Sequence, residues 1–319
     1  MRRPVTPRRA LLAAMLAAPD AARAQDVARL GVYKGAGCDG RPGLAEFARW
    51  LGRSPGWAVD FLAMESWAEM RNTAEWVAGC WRGAPQRLSL AVPLLPKDAR
   101  SSLAAGARGA HDAEFRHIAR ALVEAGRADA VLRLGWEFNG DWYPWAAQRD
   151  PDGFIAYWRR VAGVMRATPG AAFRFEWTPG LGAAALDPER AWPGREHVDV
   201  VGLHVYNQSW RVPERDQDGR WQELRDAPRG LEWHRRFAAA QGRPRSFAEW
   251  GTGRRTGGGG GGDDPVFVGR MAEWVAAPDV LYHGYWDYPA PDYDGLLSTG
   301  RQPNAARAFR EAFGGPAAR

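Results

Sequence analysis

The chain has 319 residues, which suits one large α/β barrel, because such barrels often run to about 250 residues as a single unit. Its net charge of +6 is not an argument for a nucleic-acid partner, because the Arg residues are dispersed and interleaved with Asp and Glu. The 17 Trp residues are an excess, typical of surfaces that stack on sugars or bind partners.

Residues 1–24 have the pattern of an export signal. Several Arg residues open the segment, an apolar run extends from Ala10 to Ala18, and Ala22-Arg23-Ala24 fits a small-x-small cleavage site. The apolar run is too short to span a bilayer. We therefore expect a periplasmic or secreted monomer with no membrane segment after cleavage, exported by the Sec or the twin-arginine route.

The sequence contains two cysteines, Cys38 and Cys80. An even count in an exported chain allows one structural disulfide, because the compartment is oxidising. Two unpaired, partly buried thiols remain the alternative, since the sequence gives no distance between the sulfurs.

Strand-like apolar runs alternate with helical patterns eight times, which predicts a (β/α)8 TIM barrel over residues 25–319. The predicted strands are 29–33, 58–63, 88–94, 131–134, 173–177, 198–205, 246–249 and 281–286. The predicted helices are 43–51, 66–78, 113–124, 152–166, 231–241, 266–276 and 303–313, and the fifth crossover, 179–197, has only a weak helical pattern.

Six consecutive glycines, 257–262, follow the seventh predicted strand. They lack the Lys-Ser/Thr ending of a phosphate-binding loop. Two interpretations remain open: a disordered surface excursion, or a loop that borders a substrate groove at the barrel mouth.

Two carboxylates carry the strongest functional signal. Glu137 follows the fourth predicted strand, and Glu249 ends the seventh. In a barrel the loops after the strands form the active-site face, where strands four and seven lie opposite each other. A retaining glycosidase needs two carboxyl groups about 5 to 5.5 Å apart, one as acid/base and one as nucleophile. The pair therefore indicates glycoside hydrolysis in one catalytic domain.

The chain resembles the clan of barrel glycosidases with Glu on strands four and seven, and is most similar to glycoside hydrolase family 26. The matching residues are Arg133, Glu137, Asn139 and Gly140 around the first carboxylate, and Pro244 to Gly251 around the second. The resemblance implies that Glu137 is the acid/base and Glu249 the nucleophile, with Tyr206 holding the nucleophile. One departure is Trp136, where the family usually has His.

Further residues at or beyond the strand ends are expected to bind substrate, although about half of the Trp residues are expected only to fill the rim. The predicted substrate-binding residues are Arg133, Trp136, Asn139, Trp142, Trp145, Trp177, His204, Tyr206, Trp250 and Trp286. Strand alternation aims Glu176 away from the cleft if Trp177 faces it. The remaining acids near strand ends are expected to be structural or to contact substrate: Glu65, Asp199 and Asp287. The His residues show no metal-ligand spacing, so we expect neither a metal nor a cofactor.

The sequence thus predicts an exported, retaining endo-glycoside hydrolase that acts on a β-linked polysaccharide or its oligosaccharides. Mannan is the first expectation from the family resemblance, with xylan, β-glucan or another exopolysaccharide as alternatives. A non-catalytic carbohydrate-binding barrel and a polysaccharide lyase or deacetylase are the competing functions.

Overall fold

The computed structural model describes residues 28–98, 100–182 and 185–315. The predicted signal peptide, residues 1–24, lies outside them. Eight parallel strands close into a barrel, because the last of them pairs with both the first and the seventh. The (β/α)8 prediction is confirmed. No helix in the described residues is long and apolar enough to cross a membrane.

The strands are β1 (Leu30–Tyr33), β2 (Trp57–Phe61), β3 (Arg87–Val92), β4 (Val131–Leu134), β5 (Arg174–Trp177), β6 (Val200–Gly202), β7 (Val205–Tyr206), β8 (Arg245–Gly251), β9 (Arg254–Arg255), β10 (Val280–Trp286) and β11 (Tyr293–Asp294). The helices are α1 (Gly37–Leu51), α2 (Trp67–Cys80), α3 (Leu103–Ala107), α4 (Asp112–Glu124), α5 (Pro151–Arg166), α6 (Gln217–Asp226), α7 (Leu231–Gln241), α8 (Pro265–Val275) and α9 (Pro303–Phe313). Short 3₁₀ turns cover Ala147–Arg149 and Pro188–Ala191.

The helices begin where short polar side chains satisfy free backbone N–H groups. Ser66 accepts from the N–H of Glu69 at the start of α2, and Asp150 and Asp264 do the same before the Pro residues that open α5 and α8. Helices α3 and α6 were not predicted. Helix α6 is strongly polar and buries only Arg220, Trp221 and Leu224, so it has little apolar periodicity.

The sixth predicted strand is interrupted. β6 and β7 are separated by Leu203 and His204, and the N–H of His204 donates to the carbonyl of Pro179 at 3.1 Å. Both β6 and β7 pair with β8, so this strand still occupies one position in the barrel. The break lies at the mouth of the barrel, where His204 meets the candidate site.

A disulfide joins Cys38 in the first turn of α1 to Cys80 at the end of α2. Of the two alternatives left by the sequence, the structure shows the cross-link. It ties together the first two helices of the outer ring and is remote from both carboxylates in the chain.

The six glycines form a hydrogen-bonded loop. Gly260 forms an antiparallel bridge with Gln208, the carbonyl of Gly259 accepts from Ser209 at 2.8 Å, and Gly262 donates to Gly253 at 2.9 Å. The loop therefore packs against the segment after β7, and the expected surface excursion is not observed. Next to it, β9 and β11 pair as a two-stranded ribbon that links the loops after the seventh and eighth barrel strands.

Candidate active site

The two predicted carboxylates meet at the carboxyl end of the barrel. Glu137 lies three residues beyond β4, and Glu249 lies within β8. One oxygen of Glu137, one of Glu249 and a ring nitrogen of His204 all lie within 4.8 Å of one another. The fold thus brings residues 112 positions apart in the chain into one compact group.

The backbone at Glu137 is in the left-handed region, with φ of 52°. Non-glycine residues rarely adopt this conformation, which costs of the order of 1–3 kcal/mol and is often found at functional sites. Two hydrogen bonds hold it: Glu137 N–H donates to Thr178 at 2.8 Å, and its carbonyl accepts from Gly140 at 3.0 Å. The turn places the carboxyl group beside His204 and Glu249.

Glu249 is held by two side-chain donors. The Nη1 of Arg133 donates to its Oε1 at 2.7 Å, and the hydroxyl of Tyr206 donates to its Oε2 at 2.9 Å. Arg133 is fully buried, and its Nη2 donates to the carbonyl of Asp60 at 3.0 Å. The cation and the hydroxyl each donate to a different oxygen, so they fix the orientation of the carboxylate.

Glu137 has a different environment. Its side chain is 16% exposed, and burial raises its pKa from 4.5 to about 7, although a hydrogen bond from the indole N–H of Trp142 to Oε2 at 3.2 Å acts in the opposite direction. The carboxyl group is therefore mostly protonated below about pH 7. A carboxyl group with a raised pKa next to one that accepts from a cation and a hydroxyl is the division of roles expected of an acid and a nucleophile.

His204 lies between the two carboxyl groups. Its Nδ1 is 2.9 Å from Oε1 of Glu137, and its Nε2 is 3.1 Å from Oε1 of Glu249. Burial lowers its pKa to about 4, so the ring is neutral above that pH. The sequence placed His204 at the barrel mouth by strand alternation, and the structure brings it into contact with both acids rather than leaving it on the cleft surface.

The candidate site has two aromatic walls. Trp286, at the end of β10, stacks on Tyr33 with ring centroids 4.5 Å apart and lies edge-on to Tyr206 at 6.3 Å. Trp142, on the loop after Glu137, is 57% exposed. An exposed ring beside a carboxyl group offers a flat apolar surface at the mouth of the barrel. Tyr33 was not among the predicted site residues, although its position at the end of the first strand could have indicated it.

Three predicted stacking residues are placed incorrectly by the sequence reasoning. Trp145, Trp177 and Trp250 have no exposed surface, and their indole N–H groups donate to Trp136, Ala191 and His283 within the protein. Trp177 and Trp250 point outward from the barrel toward the helices, where Trp250 stacks on Phe309 of α9. They are core residues and present no face to a substrate.

Trp136 and Asn139 are also buried rather than available to a substrate. The indole N–H of Trp136 donates to the hydroxyl of Tyr143 at 3.0 Å. Asn139 exchanges two hydrogen bonds with the backbone of Gly180, at 2.9 and 2.8 Å. Arg133, likewise fully buried, contacts Glu249 instead of a cleft surface. These three residues shape and support the carboxylate pair.

Strand alternation on β5 runs opposite to the expectation. Because Trp177 faces the helices, Glu176 points into the barrel, where Thr178 and Tyr282 donate to it at 2.7 and 2.6 Å. It is fully buried below the site. The other three acids named from the sequence have structural partners: Glu65 pairs with Lys97, Asp199 with Arg166, and Asp287 with Lys34.

In the part of the chain that the structure describes, the one cluster of three potential metal ligands is the same trio of Glu137, His204 and Glu249. The Arg133 guanidinium, 2.7 Å from Glu249, opposes a cation at this point because like charges repel. The donor set fits proton chemistry better than metal coordination.

Comparison with known proteins agrees with this geometry. The family model for glycosyl hydrolase family 26 matches residues 112–225, a stretch that includes Glu137 and ends before Glu249. The chain resembles glycosyl hydrolase family 26. No curated protein matches the sequence. The family likeness supports a glycoside hydrolase as the class of enzyme.

Solved structures with the same fold extend the likeness over most of the chain. The catalytic domain of a family 26 endo-β-1,4-mannanase from Bacillus sp. JAMB-750 is 16% identical with a TM-score of 0.58, covering 84% of this chain and 79% of that one. A modular endo-β-1,4-mannanase from Cellulomonas fimi is 17% identical with a TM-score of 0.60, covering 92% and 73%. A family 26 β-mannanase from Bacteroides ovatus is 14% identical with a TM-score of 0.56, covering 91% and 93%. At these identities the likeness establishes the fold.

Proposed function

We propose that the protein is an exported, retaining endo-glycoside hydrolase that cleaves a β-linked polysaccharide by double displacement. The observation that carries the proposal is the separation of the two acids, whose nearest oxygens lie within 4.8 Å. Retaining enzymes place the two carboxyl groups about 5–5.5 Å apart, whereas inverting enzymes need about 6.5–9.5 Å for a water molecule. The short separation favours the retaining mechanism.

In the first step Glu249 attacks the anomeric carbon with one carboxylate oxygen. The bond between that carbon and the leaving oxygen breaks, and Glu137 transfers its proton to the leaving oxygen. The products are a glycosyl ester on Glu249 and an ionised Glu137. Arg133 and Tyr206 hold the attacking carboxylate in place through the hydrogen bonds to its two oxygens.

In the second step Glu137, now ionised, removes a proton from a water molecule as the water oxygen bonds to the anomeric carbon. The ester bond breaks, Glu249 recovers its carboxylate, and Glu137 is again protonated. Two inversions at one carbon give a product with the original anomeric configuration. The raised pKa of Glu137, about 7, allows it to act as acid and as base near neutral pH.

Mannan is the first substrate to test. The support is the family 26 match and the likeness in fold to endo-β-1,4-mannanases. Xylan and β-glucans follow, because Trp142 and Trp286 offer stacking surfaces that do not depend on one sugar. Export is supported by the pattern of residues 1–24 and by the Cys38–Cys80 disulfide, which suits an oxidising compartment.

A polysaccharide panel with product analysis tests this function. The chain lacking residues 1–24 is incubated with mannan, xylan and β-glucan, and products are examined by mass and by the initial anomeric configuration. We expect internal cleavage with retention. Inversion would contradict the assignment of Glu249, and binding without reducing-end release would instead support the non-catalytic barrel.

Three variants complete the test. Glu249→Ala and Glu137→Ala are each expected to abolish turnover on the responsive polysaccharide, whereas Glu46→Gln, an exposed glutamate on α1, should retain wild-type activity. Near-native activity in either active-site variant would overturn the roles proposed for these residues.

A further inference from the structure

His204 contacts both candidate catalytic carboxyl groups through a single ring. Its side chain is 1% exposed, and it occupies the break between β6 and β7. The two ring nitrogens face different acids, Nδ1 toward Glu137 at 2.9 Å and Nε2 toward Glu249 at 3.1 Å. The protonation of the ring must therefore be compatible with both.

A neutral imidazole has one N–H donor and one acceptor nitrogen. If the proton were on Nδ1, the lone pair of Nε2 would face the anionic Oε1 of Glu249 at 3.1 Å. Nη1 of Arg133 is 3.4 Å from Nε2, but it already donates to Glu249 at 2.7 Å and so offsets little of this repulsion. That tautomer leaves a repulsive contact in a buried site.

If the proton is on Nε2, the contacts of the ring with both acids are favourable, and Nη1 of Arg133, 3.4 Å from Nε2, donates to Glu249 instead of to the ring. Nε2–H then faces the negatively charged Oε1 of Glu249 at 3.1 Å, and Nδ1 accepts the proton of the neutral Glu137 carboxyl group at 2.9 Å. Arg133 and Tyr206 then complete the set of donors around Glu249. This distribution of protons is also the one that the first catalytic step requires.

We propose that His204 is a positioning residue whose Nε2–H tautomer keeps the proton on Glu137 and the negative charge on Glu249. The charged and titratable groups that face the ring are Glu137 from the loop after β4, Arg133 from β4 and Glu249 from β8, with Tyr206 of β7 beyond Glu249. The kinetic consequences rest on the function proposed above, whereas the tautomer does not.

The tautomer can be measured directly by ¹⁵N NMR of the His-labelled chain lacking residues 1–24. At pH 6 the His204 signals, assigned by their loss in His204→Gln, are expected to show a protonated Nε2 and an unprotonated Nδ1. A protonated Nδ1, either as the other neutral tautomer or as an imidazolium, would overturn the proposal. This measurement needs no substrate, so it stands even if the polysaccharide panel shows no hydrolysis.

The kinetic test compares pH profiles of kcat/KM for wild type, His204→Ala and His204→Gln. Without the ring, protonated Glu137 loses an acceptor and ionised Glu249 loses a donor. In the bell-shaped profile the alkaline limb should then move to lower pH and the acidic limb to higher pH, each by about half to one pH unit. One hydrogen bond contributes about this much to a protonation equilibrium. Gln should restore much of the width, because its amide also offers one donor and one acceptor.

His117→Ala on α4 is the matched control and should keep the wild-type limbs, because its ring faces Glu75 and neither carboxyl group of the site. A folded His204→Ala variant with lower kcat but unchanged limbs would show a merely structural role and overturn the proposal. If that variant does not fold, the NMR measurement on the wild-type chain decides alone.

Discussion

The raised pKa of Glu137 has a consequence for stability that needs no substrate to measure. The carboxyl pKa rises from 4.5 in the unfolded chain to about 7 in the folded protein, mainly because the group is buried. The folded state then binds the proton more tightly than the unfolded state. Its contribution to stability is complete below pH 4.5 and is lost as the pH rises through 7. At 1.36 kcal/mol per pKa unit the loss is about 3 kcal/mol.

Glu137→Gln isolates this contribution, because the amide resembles the protonated carboxyl group and does not titrate. The free energy of unfolding, measured by urea denaturation, is compared for variant and wild type at pH 5 and pH 8.5. We expect the variant to gain up to about 3 kcal/mol on the wild type between these two pH values. The contributions of the other titrating groups are the same in both proteins and cancel in this comparison. The control variant Glu46→Gln should show no such pH-dependent gain on the wild type. A difference that does not change with pH would refute the assigned environment of Glu137.

Three further substitutions test two residues of the site and one residue of the core. Tyr206→Phe removes a hydrogen bond to ionised Glu249, so kcat should fall about 10- to 100-fold with unchanged circular dichroism; a twofold loss would contradict its role. Trp142→Ala removes a donor that lowers the pKa of Glu137, so the alkaline limb of kcat/KM should move to higher pH, and movement to lower pH would contradict this contact. Trp177→Ala should reduce the free energy of unfolding by about 3–5 kcal/mol and leave the KM of the folded protein unchanged. A raised KM with unchanged stability would instead show that Trp177 contacts the substrate.

The fold could be predicted from sequence because period and length are local properties. The apolar run at 131–134 and the helical stripe that includes Phe154, Trp158 and Val161 lie within the element bounds in the structure. Helix α6 was not predicted because polar contacts of Arg220 help to attach it to the barrel. Arg220 donates to Asn207 and to the carbonyl of Gly259. Such tertiary hydrogen bonds leave no periodic trace in the sequence.

The carboxylate pair could be located, but the direction of nearby side chains could not. Alternation along a strand predicts side-chain directions only when the direction of one residue is known. On β5 the cleft-facing residue was taken to be Trp177, whereas in the structure Glu176 points into the barrel and Trp177 faces the helices. The contact of His204 with both acids depends on the break after β6 and on the left-handed turn at Glu137. Neither irregularity follows from residue propensities.

Because of the left-handed backbone at Glu137, substitutions at this position can stabilise the protein while removing its proposed catalytic acid. Gly and Asn tolerate φ of 52° far better than Glu, and neither brings a carboxyl group that loses hydration on burial. A selection for heat resistance that does not monitor hydrolysis should therefore enrich Glu137→Gly or Glu137→Asn, giving a more durable barrel without its proposed acid. Mutant libraries designed to raise the thermal stability of this protein should therefore not vary residue 137.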